Sequence, residues 1–134
     1  EYFCFYMKDC DSIITFTVFG TVQSKANSRK LVLNKKTRKP MFIKSKSALQ
    51  FEKDFAVQCP SLKEKIVPKS EDVAVEVKVW YRSWRSDLDC SLIFDGLQSR
   101  IIENDRQIKQ MHLYHMGVDK EHPRCEVTVA RIHG

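Results

Sequence analysis

The segment Val73-Ala74-Val75-Glu76-Val77-Lys78-Val79-Trp80-Tyr81-Arg82 alternates without a break. Successive side chains of a strand point to opposite faces, so Val73, Val75, Val77, Val79 and Tyr81 share one side and Ala74, Glu76, Lys78, Trp80 and Arg82 the other. This predicts a strand with one face on a core and a basic, aromatic end. Upstream, Ile14, Phe16, Val18 and Val22 alternate with threonines between Ile13 and Val22, a second half-buried strand with a bend at Gly20. Downstream, Ile108 to Met116 and Cys125 to Ile132 read as a closing pair of strands joined by the polar turn from Gly117 to Arg124. Three- and four-residue spacing of Ala48, Phe51, Phe55 and Cys59 predicts a helix from Ser45 to Cys59, stopped by Pro60. The spacing of Leu92, Ile93, Leu97 and Ile101 predicts another from about Asp89 to Ile102. Leu31 to Leu33 and Met41 to Ile43 predict the short strands of a basic hairpin. Together these elements predict an α/β (α+β) fold, a mixed β-sheet covered by two helices.

With 134 residues, 43% of them hydrophobic, the chain has material for one core. We expect a single domain over residues 13–134 behind an N-terminal extension, residues 1–12. No apolar stretch approaches the roughly 20 residues needed to cross a bilayer, so a membrane is not an expected partner. Cys4, Cys10, Cys59, Cys90 and Cys125 are dispersed and form no C-x-x-C pair, which points to a reducing compartment rather than to a disulfide framework.

The formal net charge is +6, and its distribution is more telling than its size. From Ser12 to Phe51 there is no acidic residue, while Lys25, Arg29, Lys30, Lys35, Lys36, Arg38, Lys39, Lys44 and Lys46 all fall there. Lysine and arginine contacts to phosphates supply most nucleic-acid affinity, so this segment is the expected backbone grip. Trp80, Tyr81 and Trp84 interleave with Arg82 and Arg85, a composition able to stack on a base and hold its phosphates. The competing expectation for Tyr81 is that it continues the valine face into the core.

Asp87-Leu88-Asp89 follows the strand from Val73, and Asp105 lies beyond the second helix. Hard divalent cations take carboxylate oxygens together with phosphate oxygens and water. Two carboxylates about 5 Å apart at an effective dielectric near 20 repel by roughly 3 kcal/mol, so clustering them calls for a cation. The competing expectation is a helix start, with Ser86 as cap and Asp89 in the first turn. Helix geometry separates the two, because residues two apart diverge by about 200° in a helix. His112, His115, His122 and Cys125 do not make a zinc site, since His112 and His115 project to opposite faces of the strand assigned to them. No phosphate-binding P-loop and no G-x-S-x-G motif is present. Cys90, lacking a base partner, is expected to be a packed thiol.

Arg85-Ser86-Asp87-Leu88-Asp89, Phe94-Asp95-Gly96-Leu97 and Asn104-Asp105-Arg106-Gln107-Ile108 resemble motifs of the RusA family of Holliday junction resolvases, and the likeness extends over residues 13–132. The resemblance implies a homodimer that binds four-way junctions and nicks two strands symmetrically with Mg2+, or with Mn2+ in its place. It implies a cytoplasmic setting in a bacterial or phage-infected cell. It makes Asp87, Asp89 and Asp105 the metal-binding, catalytic acids. Lys25, Asn27, Arg29 and Lys44 fall among the DNA-contacting positions, and Arg82 and Arg85 join them on the residue reading. The chain departs from the family's D-x-D-N-x-x-K: Cys90 stands for the asparagine and Ile93 for the lysine, and Asp89 to Asp95 is two residues short. Arg85, Arg106 or Lys109 are the cations placed to substitute. Two functions follow as expectations, a magnesium-dependent junction endonuclease, or a noncatalytic branched-DNA-binding protein that kept the fold.

Overall fold

The computed structural model describes residues 10–25 and 29–132. Strand β1 spans Cys10–Phe19, β2 Arg29–Leu33, β3 Pro40–Lys44, β4 Val73–Tyr81, β5 Ile108–Val118 and β6 Arg124–Ile132; helix α1 spans Lys46–Gln58 and α2 Ser91–Leu97. Four strands form one sheet in the order β1-β6-β4-β5, and β2 with β3 forms a separate two-stranded sheet. β4 runs antiparallel to β6 and parallel to β5. The mixed sheet with two helices is the expected α+β fold.

The valine row of β4 carries the core. Val75, Val77 and Val79 face Val129, Val127 and Cys125 of β6, which in turn face Ile14, Phe16 and Val18 of β1. Ala48, Phe51 and Phe55 of α1 and Leu92, Ile93 and Leu97 of α2 bury against this cluster. Tyr81 is also buried, as the core expectation for it required. Truncating one such side chain to alanine costs about 2–5 kcal/mol, so the layer is energetically decisive.

The structure differs from the sequence expectation in three respects. β1 ends at Phe19, where Gly20 turns away with φ +152 and an added Cβ would lie 2.7 Å from the Asp54 carboxylate. The second helix is Ser91–Leu97 rather than Asp89 to Ile102. Gln98 is extended and Ser99 takes φ 68, so the chain folds back and the Leu97 carbonyl accepts from the N–H groups of Ile101 (3.0 Å) and Ile102 (3.3 Å). A tight turn thus produces the same four-residue proximity that suggested a longer helix. β5 and β6 are not neighbours either: the more apolar β4 lies between them, and the Asp119 N–H donates to the Tyr81 carbonyl (2.8 Å) as the connection crosses its end.

Gly96 sets how closely the helices approach, because a Cβ there would lie 2.6 Å from the Phe55 ring. That ring is buried between Phe16 and Phe51, with centroids 6.0 and 6.1 Å away, so it has little room to yield. Gly96→Ala should therefore lower the urea midpoint. Overpacking costs about 1–3 kcal/mol, against a helix-propensity gain of at most about 1 kcal/mol. Relief of the loss by Phe55→Leu in the same chain would confirm the contact, and an unchanged midpoint would show that the ring gives way.

Candidate metal centre and nucleic-acid face

Asp87 and Asp89 lie in a non-helical stretch, since α2 begins only at Ser91. The divergence that a helix would impose on them therefore does not apply. Ser86 caps nothing; the residue before the helix is Cys90, which makes no side-chain cap bond. Instead, Asp89 Oδ1 accepts from the backbone N–H of Ser91 (2.9 Å) and from its hydroxyl (2.7 Å), and Oδ2 accepts from the Lys25 N–H (3.1 Å). The Ser91 hydroxyl foremost holds the Asp89 carboxyl below its ordinary value, against an opposing effect of partial burial. Three of the roughly four acceptor directions of this carboxylate are thus engaged.

Asp87 is anchored differently. Its carbonyl accepts from the buried Tyr81 hydroxyl (3.0 Å), while its side chain is exposed. Burial pushes the Tyr81 phenol up to about 12, so it remains a donor throughout the working pH range. Cys90 is buried, and desolvation followed by the Asp89 charge raises its thiol to about 12, in keeping with a packed, unreactive group. Ile93 is wholly buried in the core, so no cation stands at that position.

Asp105 opens a single 3-10 turn, Asp105–Gln107, fastened by its neighbours. Asn104 Oδ1 accepts from the Arg106 N–H (2.9 Å), and Gln107 Oε1 accepts from the N–H groups of Glu103 and Asn104 (both 2.9 Å). Gln107 is 2% exposed, and its Nε2 donates to the carbonyls of Val67 (3.3 Å), Pro68 (2.8 Å) and Glu71 (2.9 Å). The motif residues flanking Asp105 thus build a rigid mount and leave its carboxylate exposed.

The three acids are not brought together in one chain. Asp105 immediately precedes β5, whose Ile108 pairs with Val73, whereas Asp87 and Asp89 follow the other end of β4, beyond Tyr81. That strand of 9 residues spans roughly 26 Å at about 3.3 Å per residue. Among the described residues no group of three or more His, Cys, Asp or Glu could hold a metal ion.

The cations divide between two regions. Arg82 and Arg85 are exposed in the loop between β4 and the aspartates, and Lys25 reaches the same region, its Nζ 3.7 Å from Asp95. Arg29 and Lys44 face each other at the base of the β2–β3 hairpin. Lys44 lies 2.7 Å from Glu52, an exposed ion pair worth about 0–1 kcal/mol that a phosphate can displace. Asn27 lies outside the described residues. Sequence reasoning missed the seating of Trp84, which is 74% exposed and stacks on His115 at 5.5 Å with planes 2° apart. No local pattern signals that pair, because the register of β4 on β5 creates it. Trp80 lies under Arg124 instead, 4.1 Å from ring centroid to guanidinium.

An exposed acidic loop with guanidinium groups stands at one end of a mixed sheet, and a hairpin whose charged residues are all cations precedes the first helix. Residues 20–130 match the family model described as endodeoxyribonuclease RusA, and the chain belongs to that family. No curated protein sequence matches the chain. Among the described residues, no helix is long and apolar enough to cross a membrane.

Proposed function

We propose that the protein is a magnesium-dependent, structure-selective endonuclease that cuts Holliday junctions or related branched DNA by phosphodiester hydrolysis in the cytoplasm. Membership of the RusA family carries the reading. It is supported by the release of Asp87 and Asp89 from the helix, beside Arg82 and Arg85. The oxygen-only donor set Asp87, Asp89 and Asp105 suits Mg2+ or Mn2+. It fits such an ion only across two copies, with Asp87 and Asp89 from one protomer and Asp105 from the other, given the sheet length between them. Bound there, a divalent cation would polarise the scissile phosphate and lower the pKa of water. The chain's own parts do the rest. Lys25, Asn27, Arg29, Lys44, Arg82 and Arg85 hold the backbone, Arg85 stands nearest in sequence to the acids, and two-fold symmetry offers two equivalent sites to two equivalent strands.

Mixing inactive protomers tests this arrangement. Asp87→Asn and Asp105→Asn chains should each fail to nick a synthetic four-way junction, and mixed after refolding they should recover nicking on one strand. In such a mixed dimer one site draws intact acids from both partners. If all three acids worked within one chain, every site in the mixture would stay defective and nothing would be recovered.

A second reading has its own support. Asp89 is heavily engaged by Ser91 and Lys25, and Cys90 and Ile93 are core residues where the family motif has polar ones. A noncatalytic branched-DNA-binding protein would bind junctions in a salt-sensitive manner and cut none with magnesium or manganese. A cleavage assay on the unaltered protein decides between the two.

A further inference from the structure

The β2–β3 hairpin carries apolar side chains that its own fold does not bury. Leu31 faces Phe42 and Leu33 faces Pro40 on one side, framed at the base by Arg29 opposite Lys44. Leu31 is 59% exposed, Leu33 63% and Phe42 67%. The other side, with Met41 at 39% and Ile43 at 41%, is better covered. Two-stranded sheets are marginal in water by themselves, and fully burying one such side chain is worth about 1.5–3 kcal/mol, so this face is suited to a contact outside the chain.

The charges indicate what makes that contact. Every charged residue from Arg29 to Lys44 is a cation: Arg29, Lys30, Lys35, Lys36, Arg38, Lys39 and Lys44. Two copies of such a hairpin repel one another. The complementary partner is a polyanion that also offers apolar faces, and nucleic-acid bases are such faces. In intact duplex they are hidden by stacking; at a branch point the last pair of each arm can be uncovered. Proteins that kink DNA insert Phe, Leu, Ile, Met or Pro at such steps.

The hairpin also makes local contacts near its base and within its tip. Lys25, ahead of it, donates its N–H to Asp89 (3.1 Å), and Lys44, at its end, is 2.7 Å from Glu52 on α1. Its tip is stiffened by Asn34 Oδ1, which accepts from the N–H groups of Lys36 (2.9 Å) and Thr37 (3.2 Å).

From these observations we infer that the hairpin is a branch-point wedge: the Leu31–Phe42 pair stacks on the base pair uncovered at the crossover of a DNA junction, while the surrounding lysines and arginines hold the adjoining phosphates. This rests on the branched-DNA reading above and adds the residues that tell a branched from a linear substrate.

The test uses the full chain, without divalent metal, on a four-way junction carrying 2-aminopurine beside the crossover, with a linear duplex of the same sequence as control. Wild-type protein should raise the fluorescence as the base unstacks. Phe42→Ala should abolish the rise and weaken junction binding about tenfold, within the worth of one base–aromatic stack. Phe42→Trp should retain both. Duplex binding should change by less than about twofold, because phosphate contacts dominate it. Since the side chain is exposed, circular dichroism should be unchanged. Wild-type binding without a fluorescence rise would overturn the wedge alone, as would equal losses on junction and duplex. A shift in sedimentation of Phe42→Ala without DNA would overturn it too, by showing that a second copy covers the face. Failure of the wild type to bind any junction would bring down the branched-DNA reading and the wedge together.

Discussion

Asp87→Asn is expected to remove magnesium-dependent nicking of a four-way junction while leaving junction binding intact. The loss should be at least about a hundred- to a thousandfold, the scale of a single electrostatic catalytic group. What the fold uses at this position is the Asp87 carbonyl, which accepts from the Tyr81 hydroxyl at 3.0 Å, and the substitution keeps it. The carboxylate itself is exposed and contributes nothing to the core. Binding should persist because the cations of the hairpin and of the loop at Arg82 and Arg85 are untouched, and removing one negative charge beside them favours DNA. The check is nicking against electrophoretic binding on the same junction. A variant that cuts as fast as the unaltered protein would show that Asp87 is not part of the chemistry.

Gln107→Leu should cause the largest loss of stability from a single polar residue. The side chain joins three stretches of chain: it accepts from Glu103 and Asn104 and donates to Val67, Pro68 and Glu71, all from a nearly inaccessible position. Leucine keeps the volume and takes the partner from the Asn104 N–H and the Glu71 carbonyl, whereas the Glu103 N–H and the Val67 carbonyl still meet at 3.3 Å and the Pro68 carbonyl keeps the Glu71 N–H at 2.9 Å. Each orphaned buried group costs about 1–3 kcal/mol. Allowing for partial rehydration of these two groups, the net loss is about 2–4 kcal/mol, a fall in Tm of roughly 6–16 °C for a domain of this size. Asn104→Ala removes a cap to one N–H and should cost only about 1 kcal/mol. Thermal melts of the two variants give the comparison, and a Tm for Gln107→Leu within a few degrees of the unaltered protein would show that water replaces the network. Because Gln107 mounts the turn that presents Asp105, activity should fall with stability near the melting range and recover on cooling.

Much of the fold was legible from periodicity. The valine alternation of β4 and the spacing from Ala48 to Phe55 survive folding unchanged because each reflects one buried face. The helix after Asp89 misled, since residues four apart approach each other in a tight turn as well as in a helix. The closing strands misled for another reason: adjacency in sequence does not fix adjacency in a sheet, and the most apolar strand took the central place. At the candidate site, Asp87, Asp89 and Asp105 could be picked out by residue type and motif. That Asp89 is engaged by Ser91 and Lys25 could not, because one of those partners is remote in the chain.

By itself the sequence determined the α+β class, the core face, the acid-free basic segment and the family motifs, all of which depend on local order and composition. Only the tertiary structure decided that Asp87 and Asp89 stand outside the helix and that Asp105 lies at the far end of the sheet. It alone left the hairpin's apolar face uncovered. The physical reason is the parallel pairing of β4 with β5. Parallel strands begin at the same end, so an acid that precedes one strand and acids that follow the other are held apart by the full length of the sheet.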